Sequence, residues 1–407
     1  MSRDHLGQAN HTAIHAIHRH YRAIRREQHL AWHATPRGVL PRLRSVLGWS
    51  FRPTFNAIRW YFSESTKHHR GRDILRGILF SARFRVHPSG YDQYYLQKNW
   101  NRRAEYVYDD EFMCILGFLN WALAPEDSKD MYDKRRFYKR GLAHGLAVIP
   151  IIAEFEGGDV LSQPDNDDYF SEDLFSKPCN LSMGRGASLW RFSNGSYRSG
   201  EFCFDLRGLK EHLAKLSLSY PIALQPRIYN HRDVQPISGE ALSTIRIVTI
   251  KRPSGTFEVA GGVFRMGVEG SVADNFNLGG VAAPIDLQSG VLGFGVRKGD
   301  PTRRWVKHPD TNTSIQGFVL PHWDAAKTLA LKAHAAFSTM PSVGWDIAIT
   351  PSGLILVEGN AMWGADIIQL AYDKPLAETA ISECLAHHLA VARAVMPGGP
   401  VVSRSVV

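Results

Sequence analysis

The sequence predicts an α+β fold behind a mostly helical, basic front. Apolar residues recur at helical spacing as far as about Gly145. From about Val148, short β-rich runs alternate with helical runs and turn signals. Positive charge gathers at one end: residues 1–103 hold 19 Lys and Arg against 5 Asp and Glu, a net +14, while the remainder carries −5. With 407 residues, 44% of them hydrophobic, the chain is long enough for more than one packed core.

In the front, Ile14, Ile17, Tyr21 and Ile24 step by three and four residues, with Arg19, Arg22, Arg25 and Arg26 between them. That is a basic amphipathic helix, and its stripe either packs on the rest of the protein or lies on an anionic membrane or polymer. His11, His15 and His18 share the spacing, but no carboxylate or cysteine completes a metal site there. Pro36, Pro41, Gly48 and Pro53 divide the next stretch into short pieces, and Pro88-Ser89-Gly90 reads as a linker. Over Tyr91–Gly145, Phe112, Ile115, Leu116, Leu119 and Leu123 make one apolar helical face.

Four dispersed cysteines without a C-x-x-C pair argue against a disulfide framework or a thiolate zinc site and favour a reduced, cytoplasmic setting. The absence of a run of eighteen apolar residues predicts no transmembrane segment. The basic front suits an anionic partner or the inner face of a membrane. No nucleic-acid motif accompanies the charge, which argues against that partner.

Strands are expected at Leu174–Ser176, Ala187–Phe192, Ile222–Leu224, Thr244–Ile250, Phe257–Val263, Asp346–Thr350 and Leu354–Glu358, and helices at Leu206–Leu216, Trp323–Phe337 and Leu376–Val395. The last two strands flank Pro351-Ser352-Gly353, a hairpin turn. With a symmetric three-residue turn, Thr350 faces Leu354, Ala348 faces Leu356 and Asp346 faces Glu358, with Asn360 on the same face. Facing side chains lie roughly 5 Å apart at Cβ, so two carboxylates and an amide oxygen converge where a hard cation such as Mg²⁺ would relieve their repulsion. The alternative is a turn cap and a solvated loop.

Lys177-Pro178 follows a short strand, and Gly184-Arg-Gly186 precedes another, a pairing in which mobile backbone N–H groups and a lysine suit phosphate. Neither a G-x-x-x-x-G-K-[ST] run nor a G-x-G-x-x-G opening a helix is present. Arg246 interrupts the apolar run Ser243–Ile250 and so needs a counter-charge or a cleft. Arg265 ends the next strand, before Asp274-Asn-Phe-Asn277-Leu-Gly-Gly280.

In this order the motifs resemble the ATP-grasp superfamily, in particular its sugar-transfer-associated family, over about Asp133 to Gly364. The resemblance implies two α+β lobes clamping ATP. Lys134 of the pair Asp133-Lys134, Lys177 and the Gly184–Gly186 turn would meet the phosphates, and Gln225, Arg227 and Ile228 the adenine. Asp346, Glu358 and Asn360 would hold Mg²⁺. Arg246 and Arg265 would face the transferred group; in some related ligases an arginine stands two residues before the first metal carboxylate, where this chain has Gly344. The implied division is a basic helical region over 1–89, a helical segment over 90–150, a small lobe over 151–221, a large lobe over 222–396 and a tail over 397–407.

The function expected is ATP-dependent ligation of a carboxylate to an amine through an acyl phosphate, in polysaccharide, cell-envelope or secondary biosynthesis. The substrates would be small molecules or glycan-linked groups. The alternatives are a phosphotransferase and a non-catalytic nucleotide-binding protein docking an anionic partner. Trp345 and the segment His308-Pro309 to Trp323 carry no assigned role; a loop over the acceptor site and plain packing are the two readings.

Overall fold

The structure is a computed structural model that describes residues 3–32, 51–62, 71–165, 168–181, 184–239, 241–268 and 274–396. The breakers Pro36, Pro41 and Gly48 and the expected tail 397–407 lie outside them.

Among the described residues seven α-helices open the chain: α1 (Arg3–Trp32), α2 (51–61), α3 (Gly71–Phe84), α4 (Ser89–Gln93), α5 (Asp109–Leu123), α6 (Pro125–Tyr132) and α7 (Lys134–Ala143). A small sheet follows, built from β1 (Ala153–Glu156), β2 (Asp159–Ser162), β3 (Leu174–Pro178), β4 (Ser188–Ser193), β5 (Ser196–Ser199), β6 (Phe202–Phe204) and β7 (Ile222–Pro226). Its order is β2-β1-β7-β3-β4-β5-β6, with antiparallel pairs throughout. Helix α8 (Leu206–Leu216), capped by Asp205, lays Leu209 and Leu213 on Phe155, Leu174, Trp190 and Leu224. The strand β7, read from sequence as the opening of the large lobe, lies inside the small sheet between β1 and β3.

The large sheet runs β12-β11-β10-β9-β8-β13-β14. After α9 (Gln235–Ser238) come β8 (Thr244–Lys251), β9 (Phe257–Met266), β10 (Val281–Pro284), β11 (Gly295–Arg297) and β12 (Asp300–Trp305). Then follow α10 (Trp323–Ala336), β13 (Ser342–Thr350), β14 (Gly353–Asn360), α11 (Ala365–Ala371) and α12 (Ala380–Val395). Strand alternation sends Ile245, Ile247, Phe264, Trp345 and Ile347 to a core under α10. Val248, Ile250 and Val263 go to a second core under α1, α5, α11 and α12. The expected single helix Leu376–Val395 is interrupted: Leu376–Glu378 form one 3₁₀ turn, and Thr379, in extended conformation at φ −122°, precedes α12.

The amphipathic stripe of α1 lies inside the protein. Ile14, Ile17 and Ile24 are fully buried and Tyr21 nearly so, against α5 and α12. His18, on the same side, makes a 2.6 Å contact from Nδ1 to Glu111 Oε1, and its Nε2 lies 3.0 Å from the Ala104 carbonyl. Burial alone would depress its pKa, but the Glu111 carboxylate and the carbonyl outweigh burial and raise it.

Two outcomes test this docking. Ile17→Ala should lower unfolding free energy by about 2–4 kcal/mol within a single denaturant transition, because α1 and the large sheet share one core. The His18–Glu111 pair should contribute its full stabilisation below about pH 6.5, the unfolded value, and lose it as pH rises through the raised folded pKa. Melting temperatures of the wild type and His18→Gln should therefore converge on the alkaline side.

Candidate active site

The hairpin β13–β14 is tighter than its sequence suggests, since Pro351-Ser352 make a two-residue turn. Thr350 pairs with Gly353, Ile349 with Leu354 and Ala348 with Ile355, so the expected pairs near the tip are shifted by one. A bulge then places one extra residue, Val357, between the pairs Ile347–Leu356 and Asp346–Glu358. The bulge cancels the shift, and Asp346 stands opposite Glu358 after all.

On its other side Asp346 is the direct cross-strand partner of Arg246 on β8. Arg246 donates to both carboxylate oxygens, from Nε at 2.5 Å and Nη2 at 2.9 Å. Arg265, at the end of β9, donates from Nη2 to Asp346 Oδ2 at 3.0 Å and to Thr244 Oγ1 at 2.7 Å, and lies 3.2 Å from Asp274 Oδ1. Asn360 Nδ2 donates to Asp346 Oδ2 at 3.2 Å. Burial pushes the Asp346 carboxyl up, yet Arg246 and Arg265 outweigh it and hold the group down at about 2. Asp274 completes the cluster by accepting from the Thr244 backbone N–H at 2.8 Å and from its hydroxyl. Sequence reading noted Asp274 only as part of a polar turn.

From the small lobe, Lys177 on β3 reaches the field of Glu358 and Asp346. Burial pulls its pKa down to about 8; Glu358 opposes the fall and neighbouring Lys134 adds to it. Lys134 is the first residue of α7, whose N-cap Asp133 accepts from the N–H groups of Arg135 and Arg136. Its Nζ donates to the Leu181 carbonyl at 2.6 Å and its backbone N–H to the Cys179 carbonyl at 3.1 Å, tying α7 to the end of β3. Burial lowers the pKa of Lys134, with Glu358 again opposing. Thus Asp346, Arg246, Arg265 and Asp274 form one bonded cluster, with Glu358 opposite Asp346 on the hairpin and Lys134 and Lys177 within its electrostatic reach, four cations and three carboxylates in all.

Gly184 and Gly186 both adopt φ of +72°, in the left-handed region that favours glycine, and a Cβ on Gly186 would lie 2.9 Å from Pro178 Cγ. Their turn therefore hugs the end of β3 beside Lys177. Gln225 is buried on β7 opposite Phe175. Arg227 is committed elsewhere: its Nη1 donates to Asp173 Oδ2 at 2.9 Å and its guanidinium lies over Tyr229. Ile228 follows β7 in a half-buried loop.

Gly344 has a steric reason to be glycine. A Cβ there would lie 2.7 Å from Trp363 Cβ and 3.1 Å from Arg246 Cδ, so no arginine fits where some related ligases carry one. Trp345 is core, its Nε1 donating to Thr249 Oγ1 at 2.7 Å. His308 is buried with Nε2 2.9 Å from the Gly267 carbonyl, and Ile315, Leu320 and Trp323 beyond it pack into the same core as Trp345.

The donor set suits a hard cation in chemistry: two facing carboxylates and an amide on a bulged hairpin. Asp346 already receives four hydrogen bonds, from Arg246, Arg265 and Asn360. A metal on Asp346 would thus share it with the arginines, leaving Glu358 and the Asn360 carbonyl as the more available oxygens.

Two antiparallel sheets, the larger carrying such a cluster and the smaller a glycine turn and a lysine, are the arrangement of an ATP-grasp protein. Residues 123–383 match the family described as sugar-transfer associated ATP-grasp, and the chain belongs to that family. No curated protein matches it. Among solved structures it is similar to D-alanyl-alanine synthetase A from Vibrio cholerae O1 biovar eltor, at 10% identity over 66% of this chain and 68% of that one, TM-score 0.41. It is also similar to D-alanine–D-alanine ligase from Bacillus anthracis, at 13% identity over 67% and 71%, TM-score 0.38.

Gly344→Ala should force Trp363 and Arg246 apart and cost about 1–3 kcal/mol in chemical denaturation. An unchanged midpoint would show that the neighbours yield freely.

Proposed function

We propose that the cluster between the lobes binds ATP and that the protein is an ATP- and Mg²⁺-dependent carboxylate–amine ligase. The observation that carries this reading is the buried cluster of Asp346 with Arg246 and Arg265, with Glu358 opposite Asp346 on the hairpin and Lys134 and Lys177 near enough to feel its charge. Polyphosphate needs cations placed beforehand, because phosphoryl transfer depends mainly on positioning and electrostatics. Lys134 and Lys177 supply point charges to the phosphates, and the Gly184–Gly186 turn brings backbone N–H groups to them. Gln225 and the main chain of Arg227-Ile228 line the adenine end. The Arg227 side chain holds that strand end through Asp173. Bound at Glu358, Asn360 and a shared Asp346, Mg²⁺ would neutralise charge on the β- and γ-phosphates.

In the reaction a substrate carboxylate oxygen bonds to the γ-phosphorus and the bond to ADP breaks, giving an acyl phosphate. An amine then attacks the acyl carbon, phosphate leaves and an amide remains. Arg265 and Arg246 position Asp346 and offer their remaining N–H groups to the tetrahedral oxyanion. Substrates in polysaccharide, cell-envelope or secondary biosynthesis, small or glycan-linked, fit this chemistry in a cytoplasmic setting. Among the described residues no helix is long and apolar enough to cross a membrane.

One observation favours a second reading, simple phosphotransfer. Both arginines are already committed to buried carboxylates, which leaves the phosphate end better furnished than the acyl end.

Screening carboxylate and amine pools for ADP release tests the ATP reading, and its complete absence would leave only a binding role. With an active pair, hydroxylamine should trap a hydroxamate; ADP without hydroxamate would establish phosphotransfer. Glu358→Gln and Lys177→Met should each reduce kcat at least about a hundredfold while leaving the melting temperature within a few degrees. Full activity in Glu358→Gln would remove it from the metal site.

A further inference from the structure

The helices α2 and α3 present a surface that neither the ATP site nor the core explains. They pack on each other where Tyr61 lies over Gly77, so closely that a Cβ on Gly77 would overlap the tyrosine oxygen. Ala57 and Tyr61 thereby face inward and are buried. Another side of α2 carries Phe51, Phe55 and Ile58, continued by Phe62 just past its end, at steps of four, three and four, exposed by 63%, 65%, 40% and 77%. On α3, Leu75 and Leu79 are exposed by 58% and 53%, opposite the buried Gly77, Phe80, Ser81 and Phe84. Six large apolar side chains in the open on two adjoining helices exceed the scattered exposure normal for a surface.

Their surroundings are cationic. Arg52 and Arg59 are exposed on α2, and Arg72, Arg76 and Arg83 fall on the same side of α3 as the two leucines. The acid within these helices, Asp73, accepts from the Tyr91 hydroxyl at 3.2 Å. Beside that face lies an open cavity of about 520 Å³, its walls including Arg72, Arg76, Lys98, Trp100 and Arg102, completed by amide side chains, and among the described residues none that lines it is acidic. Arg76 leans over the Trp100 ring at 5.6 Å, and Arg102 is shared with Glu105 and Glu378.

We propose that this face docks on an anionic bilayer, its phenylalanines and leucines entering the headgroup boundary and a headgroup phosphate entering the Arg72–Arg102 cavity. Apolar fingers among arginines match a surface that offers hydrocarbon beneath negative charge. A second copy of the same face would set like charges against each other. A soluble polyanion would use the arginines but would not cover the phenylalanines. Of the two readings open to the α1 stripe, packing in the core is the one found, so α1 is not the membrane-facing element.

The test is sedimentation of the full-length protein with vesicles of phosphatidylcholine alone and with 30% phosphatidylglycerol (about a third anionic, chosen to give a strong surface potential). Binding is expected to the mixed vesicles and to weaken with salt. Arg72→Gln/Arg76→Gln should reduce partitioning on the order of thirtyfold, and Phe55→Ser/Phe62→Ser about tenfold or more. Melting temperatures and ATP affinity equal to wild type confirm that these substitutions spare the fold. Three results would each overturn the proposal: no sedimentation with either vesicle, partitioning unchanged in both variants, or a concentration-dependent dimer that Phe55→Ser/Phe62→Ser abolishes. Binding to soluble anionic polysaccharide with none to vesicles would reassign the surface to a glycan.

Discussion

Asp346 is the point at which the large sheet, the lobe interface and the chemistry meet. A buried carboxylate is tolerable only when its charge is answered, and here two arginines from neighbouring strands answer it. Those arginines need burial and anions of their own, supplied by Asp346 and Asp274. The result is a charge chain running across β13, β8 and β9 whose members cannot be changed singly without stranding a neighbour. Lys177 and Glu358 extend it to the small lobe, so the seam between lobes is electrostatic where the cores on either side are apolar.

The sequence disclosed this site through parity more than through any motif. Arg246 stood out because it broke an apolar alternation, and Asp346, Glu358 and Asn360 because they shared a face. Yet the pairing came out right through two departures that cancel, a shorter turn and a bulge at Val357. Neither has a strong local signature, since Pro351-Ser352-Gly353 is compatible with more than one loop length. The hairpin β4–β5 did carry a signature, Asn194-Gly195, with both residues at positive φ as a two-residue turn requires.

Tertiary choices were harder to read. Periodicity revealed the stripe on α1 but not its destination, because burial in a core and adsorption to a surface need the same pattern. What decides between them lies far along the chain: α12 and α5 complete the pocket for Ile14, Ile17 and Ile24, and Glu111 answers His18. Asp274 was likewise invisible as a counter-ion, since only the fold brings it 3.2 Å from Arg265. Strand β7 belongs to the small sheet for a similar reason: an apolar run identifies a strand and leaves its neighbours open.

The core beneath α1, α5, α11 and α12 mixes residues from both sides of the family boundary at 123. Asn120 donates to the Ala361 carbonyl just past the hairpin, and Gln369 on α11 donates to the Val107 carbonyl while accepting from its N–H. Recognisable ancestry and folding unit therefore do not coincide. The matched segment supplies the sheet, and the helices before it fill one face of that sheet. Such a front is a fitted cover: a change of side-chain volume in the strands beneath must be matched in the helices above, because both fill one close-packed core.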